Sequence, residues 1–389
     1  MNDIKSIDKS YVAGTYNRFD VEIVSGKGSL VYDNKGNEYI DMGSGIGVTA
    51  FGIADDEWVK AVSSQAEKLQ HMSNLYYTEP CARLAEVLCG RTGMKKVFFA
   101  NSGAEANECA IKVARKYAAK RKGEEYFNIL TLENSFHGRT LTTLSATGQD
   151  CFHKLFNPLT PGFIHTPAND FEQLKQKVKA NKCAAIMLEC VQGEGGVNAL
   201  TMEFITSVYE LANNEDIILI IDEVQTGNGR TGELYAYMNY GIKPDIITTA
   251  KGLGGGLPIG AALLSQKVEA VLGFGDHGST YGGNPVCCSA ALNVINRIDD
   301  TLLKEIKEKS KYIFTSLEGA NGVESVSGMG LMIGIKAKGN SSEIVKKCIE
   351  KGVLCLTAKD KIRLLPALNI PFDILEKAIN IIKEVIAEV

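Results

Sequence analysis

The sequence predicts an α/β fold with a mostly parallel central sheet covered by helices on both faces. From about Asp55 onward, short continuous apolar runs alternate with helix-length amphipathic segments, the pattern of strands buried on both sides and joined by helical crossovers. With 389 residues, 45% hydrophobic and 23% charged, the chain can bury a large core, and neither disorder nor a collagen-like repeat is compatible with that mixture.

Taken in order, the first fifty residues read as a small antiparallel unit, with strands over 21–24, 29–33 and 38–42. The turn Asn34-Lys35-Gly36-Asn37 supplies the left-handed positions a hairpin needs. Within the alternating region the candidate strands are 96–100, 128–132, 184–190, 217–222, 246–249 and 261–265, with helices between most of them, including 104–122, 171–180 and 204–213. Beyond Asn284 a helix starts at about Cys287, another covers 302–317, and 331–337 is strand-like. In the closing helix over 372–389, Ile374, Ala378, Ile381, Ile382 and Val385 recur with helical spacing, so that segment is expected to dock through one apolar face.

Charge and composition exclude several function classes. The chain carries 42 Lys+Arg against 46 Asp+Glu, a net charge of −4, without the basic excess that phosphate-backbone binding requires, so no nucleic-acid partner is expected. The longest aliphatic runs, such as 217–221, are too short for a bilayer, and the opening MNDIKSIDKS has no apolar core of a secretion signal. No membrane partner and a cytoplasmic location are expected. The ten cysteines form no CxxC pair and most read as small buried hydrophobes of a reducing compartment. Five scattered histidines, with no HExxH, give no metal site.

Three segments carry chemistry. Residues 97–106 run from a strand through Ser102-Gly103 into a helix, a junction whose backbone N–H groups and helix dipole suit a phosphate, with Ser102 as a further donor. The alternative is a plain turn with Ser102 as N-cap. Asp222 closes the apolar run 217–221, at the strand end where open α/β sheets bind ligands. Gly227, Gly229 and Gly232 match GxGxxG, but they begin well past the strand end and the next strand ends in Ala250-Lys251 without an acid for a ribose. A nicotinamide cofactor is therefore not expected. Lys251 ends the strand 246–249 beside a glycine cluster at 252–256. Desolvation there favours the neutral amine, nucleophilic toward an aldehyde, whereas a lysine reaching out to solvent is the commoner fate.

Together with NSGAEANE at 101–108, FHGRT at 136–140, QGEGG at 192–196, DEVQTGNGRTG at 222–232, AKGLGGGLPIG at 250–260 and HGSTYGGNP at 277–285, these segments resemble the class III pyridoxal-phosphate aminotransferases of fold type I. The resemblance runs from Tyr16 to Leu364. It implies a large domain over 50–284 and a smaller α+β domain made from 1–49 and 285–389. It implies pyridoxal 5′-phosphate as cofactor, with Lys251 matching the lysine that carries it and Asp222 the acid beside its ring nitrogen. Phe136 and Val224 match the residues on the two ring faces, Gln225 the partner of the ring hydroxyl, and Ser102, Gly103 and Ala104 the phosphate-binding turn. Ser279 and Thr280 match residues that reach across a homodimer interface, Thr280 to the neighbouring cofactor phosphate.

For substrates, the resemblance implies that Arg139 takes a carboxylate and Arg363 the α-carboxylate of glutamate or 2-oxoglutarate, with Glu194 masking Arg363 when the amino donor has no carboxylate there. The stretch Thr15 to Phe19, with Tyr16 at the substrate, looks most like members that transaminate N-acetylornithine in arginine biosynthesis. Ile46 stands where ornithine-specific members tend to have a tyrosine. Ornithine, succinylornithine and 4-aminobutyrate are the alternative donors, and a non-catalytic cofactor-binding protein is the alternative class. Gly52-Ile53-Ala54-Asp55-Asp56 departs from the GHxHP of many relatives at an entrance turn.

Overall fold

The computed structural model describes residues 4–389. Its centre is a seven-stranded sheet in the order Lys96–Ala100, Gly260–Leu264, Ile246–Thr249, Ile218–Asp222, Cys183–Leu188, Asn128–Leu132 and Phe163–Thr166. All strands run parallel except Gly260–Leu264, which is antiparallel to both of its neighbours. The middle strands are buried throughout, as their continuous apolar sequences require. Because side chains alternate across a strand, Ile218 and Ile220 join one core while Leu219 and Ile221 join the other.

The helix Gly103–Lys122 covers the first of these faces. Its buried residues Ala106, Ala110, Val113, Ala114 and Tyr117 recur at helical spacing, and the small ones let the helix lie close on the sheet. That closeness matters for function, since it holds the helix start beside the strand ends.

The two ends of the chain meet in one sheet. Ile23–Lys27, Leu30–Asp33 and Glu38–Asp41 form an antiparallel unit, and Val353–Leu354 pairs in parallel with the last of them. A second four-stranded antiparallel sheet contains Val323–Met329, Met332–Ala337, Lys361–Leu364 and Leu356–Ala358. The closing helix Phe372–Glu388 buries Leu375, Ala378, Ile379, Ile382, Val385 and Ile386. Its buried stripe is thus turned from the expected one, leaving Ile374 and Ile381 only half-buried.

Two further expectations need correction. In the Asn34 to Asn37 turn only Gly36 has a left-handed backbone, at φ +84. The turn is closed instead by the Asp33 carboxylate, which accepts from the Lys35 and Asn37 backbone N–H groups at 2.9 and 2.8 Å. The strand Phe163–Thr166 was not expected, because its four half-buried to buried residues form no continuous apolar run. Six cysteines are buried, Cys151 is exposed, and all ten are free. No helix among the described residues is long and apolar enough to cross a membrane.

Candidate active site

The carboxyl ends of the parallel strands converge on one edge of the sheet. Ser102 follows the strand Lys96–Ala100, Glu189 follows Cys183–Leu188, Asp222 ends Ile218–Asp222 and Lys251 follows Ile246–Thr249. A cavity of about 610 Å³ opens there, lined by Asp222, Lys251, Phe136, Val224 and Gln225, and on another side by Ser102, Gly103 and Ala104. Tyr16 and Arg139 also line it, both on exposed segments. Ten of the sequence-derived site residues are therefore brought to one place.

Asp222 is held by three donors. Its Oδ2 accepts from Asn107 Nδ2 at 2.8 Å and faces His137 Nδ1 at 2.8 Å, while Oδ1 accepts from the Val224 N–H at 3.0 Å. His137 is fully buried, and an acceptor carboxylate requires its Nδ1 to carry the proton. Asn107 is fixed in turn by donating to the His137 carbonyl at 2.7 Å. Neither His137 nor Asn107 was singled out from the sequence, though both lie inside the FHGRT and NSGAEANE motifs. Glu189 was also missed, and the signal was available: like Asp222, it is an acid directly after a buried apolar run. It accepts from the Phe136 N–H at 2.9 Å, and burial pushes its carboxyl up to about 7, partly offset by His137.

Lys251 adopts φ +46, a left-handed backbone that costs a non-glycine residue about 1–3 kcal/mol and that persists only where packing enforces it. Burial lowers its ammonium below the ordinary 10.5, against the opposing pull of Glu194 and Asp222. The consequence is an amine readier to act as a nucleophile than a surface lysine.

At the helix start, Ser102 is the N-cap, its Oγ accepting from the Glu105 N–H at 3.2 Å. The N-cap reading is thus what the structure shows, and the cap bond leaves the hydroxyl proton available to donate. Gly103 packs so tightly on Val224 that a Cβ would lie 2.7 Å from its Cγ1. The first N–H groups of the helix, those of Gly103 and Ala104, have no intrahelical acceptor, and both residues line this end of the cavity.

Arg363 and Glu194 adjoin the cavity rather than line it. Arg363 Nη1 donates to Glu194 Oε1 at 2.5 Å and to Gln225 Oε1 at 3.3 Å, so Gln225 links the pair to the cavity wall. The Arg363 side chain is 4% exposed and its Nε has no partner among the described residues. Arg139 packs its guanidinium over Phe152 and Phe136, 4.1 and 5.4 Å from the ring centroids.

Ser279 and Thr280 are not brought to this cavity within one chain. They line a separate depression with His71 and Asn74, where Ser279 Oγ accepts from Asn101 Nδ2 at 3.2 Å and Thr280 is exposed. Ile46, with φ +67, lines a neighbouring apolar cavity together with Arg18 and Asp41, not the one holding Lys251.

The profile of the aminotransferase class-III family matches residues 11–386. The chain belongs to the class-III aminotransferases. An acetylornithine aminotransferase of Haemophilus ducreyi is 50% identical over 389 residues, covering 100% of this chain and 99% of that one. Another of Methanocaldococcus jannaschii is 46% identical, covering 98% of each. Among solved structures, an ornithine aminotransferase from Toxoplasma gondii superposes with a TM-score of 0.94 at 30% identity, covering 99% of this chain and 94% of that one. An N-acetylornithine aminotransferase from Stenotrophomonas maltophilia does so at 0.85 and 33%, covering 98% of each. As a class-III aminotransferase the protein is a pyridoxal-phosphate-dependent transaminase with the α/β fold of that group.

Proposed function

We propose that this transaminase moves the terminal amino group of N-acetylornithine to 2-oxoglutarate, giving N-acetylglutamate semialdehyde and glutamate, as a cytoplasmic homodimer serving arginine biosynthesis. The observation that carries the reading is the Arg363–Glu194 pair beside the Lys251 cavity, an arginine that a carboxylate can mask. Support for the donor comes from relatives 50% and 46% identical that bear that substrate in their names. The cavity is chemically suited to the cofactor: a desolvated amine for its aldehyde, a buried triply held carboxylate for its ring nitrogen, and a helix start without a side chain at Gly103 for its phosphate. Phe136 and Val224, which line the cavity, would hold the ring between them, and Gln225 would bond its hydroxyl. We assign the domains as 50–284 and, for the smaller one, 1–49 with 285–389; pairing of Val353–Leu354 with Glu38–Asp41 supports joining the two ends.

When bound, pyridoxal phosphate supplies an electron sink for the carbon that loses its proton. Asp222 would keep that sink effective by favouring a positive charge on the ring nitrogen, and Asn107 and His137 keep Asp222 aimed. Lys251 is the residue that would carry the cofactor, and its buried amine, with a lowered affinity for protons, would serve as the base that takes the proton from the substrate carbon. Arg139 and Tyr16 receive the far carboxylate of the donor. Glu194 covers Arg363 during the donor half, because a buried unpaired guanidinium is costly, and withdraws when a dicarboxylate arrives.

A side-by-side comparison of kcat/KM for N-acetylornithine, ornithine, succinylornithine and 4-aminobutyrate tests the substrate. N-acetylornithine should lead; a higher value for any of the others overturns it. Lys251→Ala should abolish turnover and the visible absorbance of bound cofactor.

A further inference from the structure

The loop 193–197, which carries Glu194, is gripped from both sides by asparagines. On one side the Asn134 carbonyl lies so close to Gly195 that a Cβ there would sit 2.5 Å away. On the other, Asn198 Nδ2 donates to the Gly195 carbonyl at 3.1 Å. Each asparagine is held in turn by a lysine of the hairpin that carries Arg363. Lys359, at the hairpin tip, donates to Asn134 Oδ1, and Lys361 donates to Asn198 Oδ1 at 2.8 Å and to Ser327 Oγ at 2.7 Å. Lys361 is the first residue of the strand Lys361–Leu364 in which Arg363 lies, and Lys359 stands two residues before it.

The two halves of this clasp differ in stiffness. Arg363 is paired on both sides, opposite Gly334 in one neighbour and Leu356 in the other. The loop springs from a two-residue ladder, Val191–Gln192 with Asn198–Ala199, contains Gly193, Gly195 and Gly196, and is anchored by the fully buried Val197, so that Glu194 is its one half-exposed residue. When the 2.5 Å pair opens, the Glu194 side chain, 28% exposed, is the partner free to swing, and the 4%-exposed arginine stays; the clasp fixes the backbone from which Glu194 swings.

We propose that Lys359 and Lys361, acting through Asn134 and Asn198, are positioning residues that set how readily Glu194 releases Arg363, and so divide specificity between the mono- and dicarboxylate halves of the reaction. This rests on the reading of Arg363 and Glu194 given above. Loosening the clasp lowers the cost of opening the pair. Arg363 then becomes more available to a dicarboxylate and less well masked when the ω-amino donor is bound.

Lys361→Met and Lys359→Met keep most of the side-chain stem while removing the charge and the hydrogen bond. In each holoenzyme, binding of glutarate, an unreactive dicarboxylate, is measured by calorimetry, and the two half-reactions are followed separately. Each variant should bind glutarate at least about threefold more tightly and lose at least about threefold in kcat/KM for the donor half, the scale of coupling changes made from outside a site. Lys361→Arg should restore both values. Glu194→Gln serves as the reference, shifting glutarate binding in the same direction. If Glu194→Gln shifts binding and the lysine variants do not, the clasp is wrong. If Glu194→Gln itself changes nothing, the ion-pair reading falls and takes the clasp with it. Equal losses in both halves with unchanged glutarate affinity would reduce the lysines to structural roles and also overturn the proposal. Lys359, exposed at a hairpin tip, keeps the test open should Lys361→Met fail to fold.

Discussion

Glu223 shows how much this sheet edge depends on carboxyl groups taken out of water. It is fully buried, accepts from Thr226 Oγ1 at 2.6 Å and from the Tyr237 N–H at 2.8 Å, and burial pushes it up to about 7 despite those donors. A carboxyl whose folded value exceeds its ordinary 4.5 binds more protons folded than unfolded between those two values. Its contribution to stability is then complete below pH 4.5 and declines as pH rises to about 7. Glu223→Gln, nearly isosteric and neutral at every pH, should remove that decline, so that its Tm minus the wild-type Tm grows between pH 5 and about 7. Parallel Tm profiles would show that Glu223 ionises in the ordinary range. At this scale the sequence revealed the groups that follow strands, Asp222 and Lys251, because a polar residue after an apolar run announces itself. It hid Asn107 and His137, whose meaning lies in a shared partner, Asp222, far along the chain.

Secondary-structure elements set where those residues can act, and the helix Gly103–Lys122 is the sharpest case. A Cβ at Gly103 would meet both methyls of Val224, at 2.7 and 2.8 Å. Val224 is β-branched and short, with no flexible end to swing aside, so the helix start and the residue after the Asp222-Glu223 pair would have to part. We expect Gly103→Ala to weaken cofactor binding by about tenfold or more, with a stability loss of about 1–3 kcal/mol. Titration of pyridoxal phosphate into the apoenzyme measures the first and chemical denaturation the second; unchanged affinity would remove this helix start from the phosphate site. The helix 171–180 was legible because its burial is periodic, and the middle strands because they are continuous apolar runs buried on both faces. Phe163–Thr166 and Val323–Met329 were not, since strands covered on few sides need no apolar run. The closing helix was legible in extent but not in facing, because Leu375, Ile379 and Ile386 widen its stripe beyond the residues that first define it.

For the whole molecule, Thr280 is the telling residue: exposed, in a depression apart from the chain's own cavity, yet matching a position that serves a neighbour's cofactor in the resembled family. If each site takes Lys251 from one protomer and Thr280 from the other, two crippled variants should complement. Co-expressed Lys251→Ala and Thr280→Val chains should form mixed dimers with one fully native site, more active than either variant alone. No gain over the parents would place Thr280 outside the partner's site. The antiparallel strand Gly260–Leu264 also governs how the protein must be made. The strand Lys96–Ala100 lies at the sheet edge with Gly260–Leu264 as its neighbour, so during synthesis Val97, Phe98 and Phe99 leave the ribosome long before the segment that covers them. A nascent chain halted short of Leu264 would hold an unpaired apolar strand, open to aggregation and to chaperone capture. The wall bearing Ser102 and Gly103 is thus among the first parts of the site to be translated and among the last to be closed.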